Sequence, residues 1–318
     1  MDLVAIVCKD SDYQNRDYKQ ADYGLARRVK MLLNDLFELF MKERTFIRNA
    51  SPLSIKSNKH TWLRWTKCMG NRSLQELDRS LLIELVFKLR ELPIAPTTCN
   101  ITIREINSFL SWLHENDYTK DHLKMKQLKT EKTVTEDFSD EELQRFLNWK
   151  PKRFGQWRLY TLICLLIDTG VRIDEALTLQ RSKIDMENML ITVYGKGSKE
   201  RVVPFSVSLR KVLWKFSRMH DHELFFSTNK GTKIRYRNLI RDFKTLAENL
   251  GIRGKKIGFH QFRYGYALNF IREGGNPFHL QRILGPSSIT TTQGYVRLVT
   301  EDLRQAHIQT SRMNRLKG

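Results

Sequence analysis

The chain has 318 residues, of which 41% are hydrophobic, enough for one large globular domain or two ordinary ones, so a folded protein is expected rather than a disordered one. Its 55 Lys and Arg outnumber its 35 Asp and Glu, and the resulting charge of +20 is spread along the whole length, which favours nucleic acid as a partner over the alternative of a merely soluble basic protein. Four scattered cysteines without a Cys-x-x-Cys pair argue against disulfides or a zinc site. The sequence shows neither a basic leader nor an apolar run of about 20 residues, so we expect a cytoplasmic protein without membrane partners.

The first third of the chain is predicted to be a small helical domain. Residues 1–24 form an N-terminal extension whose role the sequence does not show. Apolar residues at helical spacing then predict helices over 25–48, 54–69, 80–92 and from 97 or 98 to 114. Prolines and glycines mark their ends, with Pro52, Gly70, Pro93 and Pro96 as breakers. Residues 25–122 are therefore predicted to form a domain of four helices.

A second domain is predicted from residue 138 to the end. Residues 123–137 are polar and rich in Lys and Thr, which is typical of an inter-domain linker. Ser139 with Glu142 three residues later predicts a capped helix start. A β-hairpin is predicted from strands over 189–194 and 201–205. Helices are predicted around 159–167, after Gly170, and over 208–219, 237–250, 260–273, 277–284 and 301–309.

Five polar side chains in this second domain stand in short motifs that packing does not explain. Arg172 ends Thr-Gly-Val-Arg, Lys196 stands between two glycines at the hairpin bend, His260 and Arg263 bound His-Gln-Phe-Arg, and Tyr295 comes late in the chain. Two guanidiniums, an amine, an imidazole and a phenol suffice for a metal-free attack on a phosphodiester. No other His or carboxylate has metal-ligand spacing, so neither a metal nor a cofactor is predicted.

The two arginines suit the charge that develops in phosphodiester cleavage. The transition state places extra negative charge on the non-bridging oxygens, and a guanidinium can donate two parallel hydrogen bonds to them. Arg172 and Arg263 are predicted to do so. The alternative for Arg172 is an ordinary ion pair with Glu175, one turn along the same helix.

The remaining three side chains are predicted to move protons and attack phosphorus. Lys196 would protonate the leaving 5′ oxygen, with an ordinary turn lysine as the alternative and Lys199 as a rival in the same turn. His260 would accept the tyrosine proton or bind a phosphate oxygen, unless it is a buried histidine that caps the backbone. Tyr295 would be the nucleophile, because a phenol with a pKa of about 10 needs nearby positive charge to attack. Its alternative is a core tyrosine, the role expected for Tyr264 and Tyr266.

Taken in order, the motifs Thr-Gly-x-Arg-x-x-Glu, Gly-Lys-Gly-x-Lys-Glu-Arg, His-x-x-Arg and a late Tyr resemble the tyrosine recombinases of the phage-integrase family, in the style of Xer-type and transposon-borne integrases. Residues 51–57 resemble the start of that family's core-binding domain, and residues from about 138 resemble its catalytic domain. The resemblance implies a mainly α fold with a small β-hairpin insertion, in which a four-helix core-binding domain precedes a mixed α catalytic domain.

The resemblance also implies a function and its partners. It implies site-specific DNA strand exchange through a covalent 3′-phosphotyrosine, without metal or ATP, in integration, excision or resolution for a mobile element or replicon. Double-stranded DNA with specific recombination sites is the implied partner. A tetramer on two sites is implied too, with the tail after Tyr295 docked on a neighbouring subunit. Accessory proteins are candidate further partners.

One position departs from the family pattern. Pro286 stands where the family usually has His or Trp, whose ring N–H donates to the phosphate, and proline has no such donor. Losing one donor of this kind costs on the order of 10²–10³ in rate. We therefore expect slower cleavage or a substitute donor from Ser287, Ser288 or a water.

Two further questions concern DNA contacts and competing functions. Basic and polar residues on or beside predicted helices are candidates to contact DNA, with a solvated surface position as the alternative for each. They are Lys56, Lys59, Thr97, Asn100 and Arg104 in the first domain and Arg235, Arg237 and Arg241 in the second.

A type IB topoisomerase and a catalytically weakened DNA-binding relative are the competing functions. The tail beyond Tyr295 and the helical first domain favour a recombinase.

Overall fold

A computed structural model of the protein describes residues 31–130, 136–195, 200–253 and 257–285 and the single positions Met313 and Leu316. The chain divides into two compact units near residue 132. Helices dominate both units, and the second adds a small three-stranded sheet. The predicted fold class, mainly α with a small β insertion, is confirmed.

The first unit contains the four predicted helices, with bounds shifted by one or more residues. These helices are α1 (Leu33–Phe46), α2 (Pro52–Met69), α3 (Arg79–Glu91) and α4 (Pro96–Glu115). Pro52 and Pro96 are the first residues of α2 and α4, inside the helices rather than before them. A proline fits there because the N–H of that position has no helical partner to lose. Buried faces of all four helices form one core around Phe40, Trp65 and Phe109.

Helix α1 begins later than predicted. Residues 25–30 lie outside the described residues, and Leu32 forms an antiparallel bridge with Ser73 instead of continuing the helix. The Leu33 amide donates to the Arg72 carbonyl at 2.8 Å, which fixes the chain just before the first turn. A long-range backbone contact therefore sets this boundary, and helical periodicity does not show it.

The segment after α4, predicted as the start of the linker, packs on the first unit. Met125 is buried in its core, and Leu123 and Leu128 pack against that core. Asn107 bonds the backbone of Met125 through both amide atoms, each at 2.9 Å. Asn100 bonds Leu128 in the same way, at 2.9 and 2.7 Å. These side-chain amides bond to backbone groups of a segment that is neither helix nor strand. Residues up to at least Leu128 therefore pack on the first unit, and the linker predicted over 123–137 begins too early.

The second unit carries the remaining helices and the sheet. In chain order they are α5 (Asp140–Asn148), α6 (Phe154–Thr169), α7 (Ile173–Ala176), β1 (Ile184–Asp185), β2 (Leu190–Tyr194), β3 (Glu200–Pro204), α8 (Val207–Ser217), α9 (Tyr236–Asn249), α10 (His260–Arg272) and α11 (Pro277–Leu284). The sheet order is β1-β2-β3, and both pairs are antiparallel. The hairpin prediction is confirmed, whereas β1 was not predicted. The predicted helix over 301–309 lies outside the described residues.

Two local features of this unit mark a helix start and a helix end. The predicted capping box begins α5, with the Glu142 amide donating to Ser139 Oγ at 3.3 Å and the Ser139 amide donating to Glu142 Oε2 at 2.9 Å. Helix α6 ends at Gly170, whose φ of +61° lies in the left-handed region. A Cβ at Gly170 would stand 2.5 Å from Tyr266 Cδ1, so both conformation and space require glycine. The chain turns here and places Arg172 beside α10.

Across the described ranges, no helix is long and apolar enough to cross a membrane.

Candidate active site

Arg172 is the N-cap of the four-residue helix α7, one position before the helical turn in which it was predicted. Its Nη1 donates to Glu175 Oε1 at 3.0 Å and to the carbonyl of Leu284 at 3.3 Å. Its backbone amide donates to Glu175 Oε2 at 2.8 Å. The ion pair considered as the alternative role therefore exists. It holds the guanidinium in a fixed place rather than removing it from the site.

Arg263 meets Arg172 from the first turn of α10. Its Nη1 donates to the Gly170 carbonyl at 2.9 Å and its Nη2 to the Leu284 carbonyl at 2.8 Å. Two guanidiniums from distant parts of the chain thus share one acceptor oxygen. Leu284 ends α11, and carbonyls at a helix C-terminus carry partial negative charge that favours nearby cations. The structure brings the two predicted arginines together.

Two residues to which sequence reasoning gave little or no role complete this cluster. Arg201 on β3 donates Nη1 and Nη2 to the two oxygens of Glu175, each at 2.7 Å, and Nε to the carbonyl of Ile283 at 2.6 Å. The Glu175 side chain is 4% exposed and that of Arg201 is 12% exposed. The sequence did contain a signal for Arg201, because this residue ends the Gly-Lys-Gly-x-Lys-Glu-Arg motif. Sequence alone, however, does not show that an arginine on a strand pairs with a buried carboxylate.

The carboxylate of Glu175 stays ionised despite its burial. Burial alone would raise its pKa, but hydrogen bonds from Arg201 and from the Arg172 amide outweigh it and hold the pKa below the ordinary value. A buried, charged carboxylate next to Arg172 and Arg201 offsets the repulsion between clustered guanidiniums. Glu175 is therefore the counter-ion of this site.

His260 is the first residue of α10 and is exposed. It precedes Arg263 by three residues, so the two side chains share a helix face. The N-terminal amides of α10 lie at the same end, where they favour an anion. Exposure is at odds with a buried capping histidine, and the position leaves the imidazole accessible to a bound substrate.

Three other predicted site residues, Lys196, Pro286 and Tyr295, lie outside the described residues. The ends of β2 and β3 are described, and Tyr194 pairs with Glu200 across the hairpin that carries Lys196. The two other tyrosines considered, Tyr264 and Tyr266, are half-buried, and burial raises the pKa of both phenols. That environment disfavours the ionised phenol and suits packing residues, as expected.

The candidate DNA-contact residues separate into two groups. Seven are exposed, namely Lys56, Lys59, Thr97, Arg104, Arg235, Arg237 and Arg241. Asn100 is half-buried, and both atoms of its amide bond the backbone of Leu128. Since this amide already holds the segment after α4, Asn100 is removed from the candidate DNA contacts.

Among the described residues, no group of three or more His, Cys, Asp or Glu side chains is arranged to hold a metal ion.

Comparison with known proteins places this arrangement in a family. The model of the phage integrase family matches residues 136–301. Similar relatives include the tyrosine recombinase XerC of Shewanella amazonensis, 25% identical over 85% of this chain and 94% of the relative. The tyrosine recombinase XerA of Thermococcus onnurineus is 26% identical over 82% of this chain and 90% of the relative.

Solved structures share the fold at lower identity. A post-cleavage complex of the XerH site-specific recombinase with palindromic difH substrate matches with a TM-score of 0.65 and 20% identity, over 94% of this chain and 90% of that chain. The Tn1549 transposon integrase in complex with circular intermediate DNA matches with a TM-score of 0.70 and 17% identity, over 83% of this chain and 95% of that chain.

The family match spans more than half of the chain and includes Arg172, His260, Arg263 and Tyr295. The predicted recombinase is confirmed, and the topoisomerase alternative is not favoured. This chain belongs to the phage integrase family and is a tyrosine recombinase, a site-specific DNA strand transferase.

Proposed function

We propose that this recombinase cleaves DNA through Tyr295, with Arg172 and Arg263 binding the scissile phosphate and Lys196 and His260 moving the protons. The convergence of the two guanidiniums on the Leu284 carbonyl is the observation that carries the proposal. Their donors are already gathered around one oxygen atom, and a phosphate oxygen beside it would meet both cations with little rearrangement. Such preorganised charge is the main way an enzyme stabilises a phosphoryl-transfer transition state.

The proposed reaction conserves bonds and charge. The phenolic oxygen of Tyr295 attacks phosphorus, the bond from phosphorus to the 5′ oxygen breaks, and a 3′-phosphotyrosine and a 5′-hydroxyl result. His260 takes the proton that leaves the phenol, and Lys196 gives a proton to the departing 5′ oxygen. Attack by the 5′-hydroxyl of another strand reverses these steps and joins the strands. One phosphodiester is exchanged for another, so no nucleotide cofactor is consumed.

We propose duplex DNA carrying specific recombination sites as the partner. The seven exposed polar and basic residues of α2, α4, α9 and the N-cap of α9 named above are the proposed contacts. A tetramer on two sites, joined by the tail after Tyr295, and a role in integration, excision or resolution for a mobile element or replicon complete the proposal. Contacts to phosphates make such binding weaken steeply with salt.

The test begins from sheared genomic DNA of the source organism, because no site has to be known in advance. The protein is mixed with the fragments, the reaction is stopped with detergent, and protein-linked fragments are recovered and sequenced. We expect a small set of sequences, linked to protein until protease is added, and none with Tyr295→Phe. Chelation of divalent metals should leave the yield unchanged.

Two outcomes would contradict the proposal. Equal recovery with the Tyr295→Phe variant would remove the proposed nucleophile. Relaxation of any supercoiled plasmid, without sequence preference and without joining of two sites, would indicate a topoisomerase instead. A recovered site, remade as a duplex with a nick beside the cleavage position, traps the adduct and supplies the substrate for the variants below.

A further inference from the structure

Among the described residues, Arg201 is a cation that the proposed chemistry does not use but that shares a partner, Glu175, with Arg172. It lies on β3, the second strand of the hairpin that carries Lys196, and its guanidinium connects β3 to α7 and α11. Two nitrogens bind Glu175 on α7 at 2.7 Å each, and the third binds the carbonyl of Ile283 near the end of α11 at 2.6 Å. With 12% of its side chain exposed, Arg201 is poorly placed to contact DNA itself.

The partners of Arg201 are also the partners of the proposed phosphate-binding arginines. Glu175 accepts from Arg172 as well as from Arg201, and Leu284, next to Ile283, accepts from both Arg172 and Arg263. Any displacement of Glu175 or of the end of α11 would therefore move the atoms that hold Arg172. Gly285 follows directly, and a Cβ at that glycine would stand 3.6 Å from Arg201 Cδ.

The geometry around Glu175 is one of competition between two arginines for one carboxylate. Arg201 approaches in the bidentate arrangement, with one nitrogen on each oxygen, which is the strongest pairing that a guanidinium makes with a carboxylate. The Arg172 guanidinium reaches Glu175 through Nη1, which donates to Oε1 at 3.0 Å and is shared with the Leu284 carbonyl. If Arg201 were absent, the buried charge of Glu175 would have Arg172 as its remaining ion-pair partner among the described residues. Arg172 would then be drawn onto the carboxylate and away from a phosphate.

We propose that Arg201 is a positioning residue for strand cleavage, which occupies both oxygens of Glu175 and the end of α11 and so keeps Arg172 aimed at the scissile phosphate. This inference rests on the proposed function of Arg172. It assigns Arg201 to stabilisation of the charge on the scissile phosphate and not to protonation of the leaving group. The rival assignment is that Arg201 acts through its own hairpin, by placing Lys196 at the leaving group.

The experiment measures single-turnover adduct formation on the nicked duplex. Arg201→Met should slow cleavage about 10²-fold, as expected when one preorganised donor is lost. Arg201→Lys keeps the charge but cannot span both carboxylate oxygens, so its rate should fall between those of the parent and Arg201→Met. Glu200→Gln is the matched control, because Glu200 precedes Arg201 on β3 and its one ion pair among the described residues is an exposed pair with Lys183 at 3.4 Å, and it should cleave like the parent.

A second substitution separates positioning from mere loss of structure. Adding Glu175→Gln to Arg201→Met removes the carboxylate that captures Arg172, so the double variant should cleave several-fold faster than Arg201→Met. Two structural lesions in one cluster would instead add up to slower cleavage. A double variant no faster than Arg201→Met would overturn the proposal.

A modified substrate separates the two sides of the reaction. Replacing the bridging 5′ oxygen by sulfur creates a thiolate leaving group that needs no proton, because thiols are far stronger acids than alcohols. This substrate should restore cleavage to Lys196→Ala and leave Arg201→Met slow. Restoration of Arg201→Met would overturn the proposal in favour of the hairpin role, as would a parent-like rate for Arg201→Met on the normal substrate.

Failure of this inference is distinguishable from failure of the proposed function. The parent and Tyr295→Phe run in the same gel, so an absent parental adduct contradicts the proposed function, whereas a present one leaves Arg201 to be judged by its variants. Affinity for the same duplex and the unfolding midpoint show that each variant is folded. If Arg201→Met does not fold, Arg201→Lys carries the test, and a parent-like rate for that variant would overturn the proposal.

Discussion

At the scale of single residues, the Leu284 carbonyl organises the site. Arg172 and Arg263 are cations that would repel each other at short range, yet both donate to this one oxygen. Two negative features offset the repulsion, namely the buried carboxylate of Glu175 and the C-terminal end of α11. The fold therefore offsets the repulsion between the two cations before DNA binds, which is the condition for preorganised catalysis.

Replacing Arg263 by Lys tests the guanidinium geometry at this point. Lysine keeps the charge but cannot bond both the Gly170 and Leu284 carbonyls and a phosphate from fixed positions, so cleavage should fall on the order of 10²–10³. Affinity for the same duplex, measured at equal salt, should change little. Arg272→Lys on the exposed end of the same helix is the control. Equal cleavage by Arg263→Lys and the parent would show that Arg263 does not bind the scissile phosphate.

Replacing Pro286 by His is expected to raise the cleavage rate, whereas replacing Arg263 lowers it. Pro286 follows Gly285 at the position where the family usually carries a ring N–H donor, and proline lacks one. Pro286→His should therefore accelerate cleavage of the nicked duplex, by up to about 10²-fold if no other group has taken over the contact. Pro286→Ala is the control, since it restores flexibility without a ring donor. No gain for histidine over alanine would count against a missing donor.

Individual residues were predictable where the residue type itself carries the chemistry. Arg172, His260 and Arg263 could be chosen because guanidinium and imidazole groups in short motifs suit phosphate chemistry, and the structure gathers the two arginines. The Leu284 carbonyl could not be chosen, because every residue has a carbonyl and its partners lie 112 and 21 positions away. Asn100 was misassigned for the same reason, since the returning segment that it holds is 28 positions away.

At the scale of elements, the turn from α6 to α7 sets the site. Gly170 is the C-cap of α6 in the left-handed region, its carbonyl accepts from Arg263, and two residues later Arg172 is the N-cap of α7. The ring of Tyr266 on α10 lies against the glycine, so α10 is fitted to this turn. One backbone reversal therefore fixes both arginines relative to each other.

Gly170→Ala should damage stability and cleavage together. The left-handed conformation is strained for alanine, and the added Cβ meets Tyr266 Cδ1 at 2.5 Å, so we expect a loss of about 1 to 3 kcal/mol in the free energy of unfolding by urea. Cleavage should fall further than stability alone explains, because α10 and Arg263 must shift. Gly258→Ala is the control, since a Cβ there meets nothing within 4 Å. A Gly170→Ala variant as stable as the parent would contradict this reading of the turn.

Element prediction succeeded where one helical face repeats over several turns and failed where distant contacts decide. The helices of the first unit were found from their apolar spacing, although Pro52 and Pro96 turned out to begin helices rather than to precede them. Strand β1 has two residues, Ile184–Asp185, too few for any alternation to show. It exists because β2 offers it a pairing edge.

At the scale of the whole molecule, the tail after Tyr295 is proposed to act between chains. Truncation after Val299 should abolish recombination between two sites and spare binding to a single duplex, because the tail is proposed to dock on a neighbouring subunit. Gel-shift affinity and joint-molecule formation on the recovered site measure the two properties separately. A truncated protein that recombines at the parental rate would show that the tail does not join subunits.

The proposed identity of the nucleophile is tested most directly by locating the DNA linkage on the chain. The adduct formed on the nicked duplex is digested with nuclease and trypsin, and the peptide that retains a nucleotide is identified by mass. We predict that the mass is found on the peptide containing Tyr295, joined through a 3′ phosphate, with a free 5′-hydroxyl on the released strand. A nucleotide attached to Tyr264, Tyr266 or any other residue, or joined through a 5′ phosphate, would contradict the mechanism proposed here.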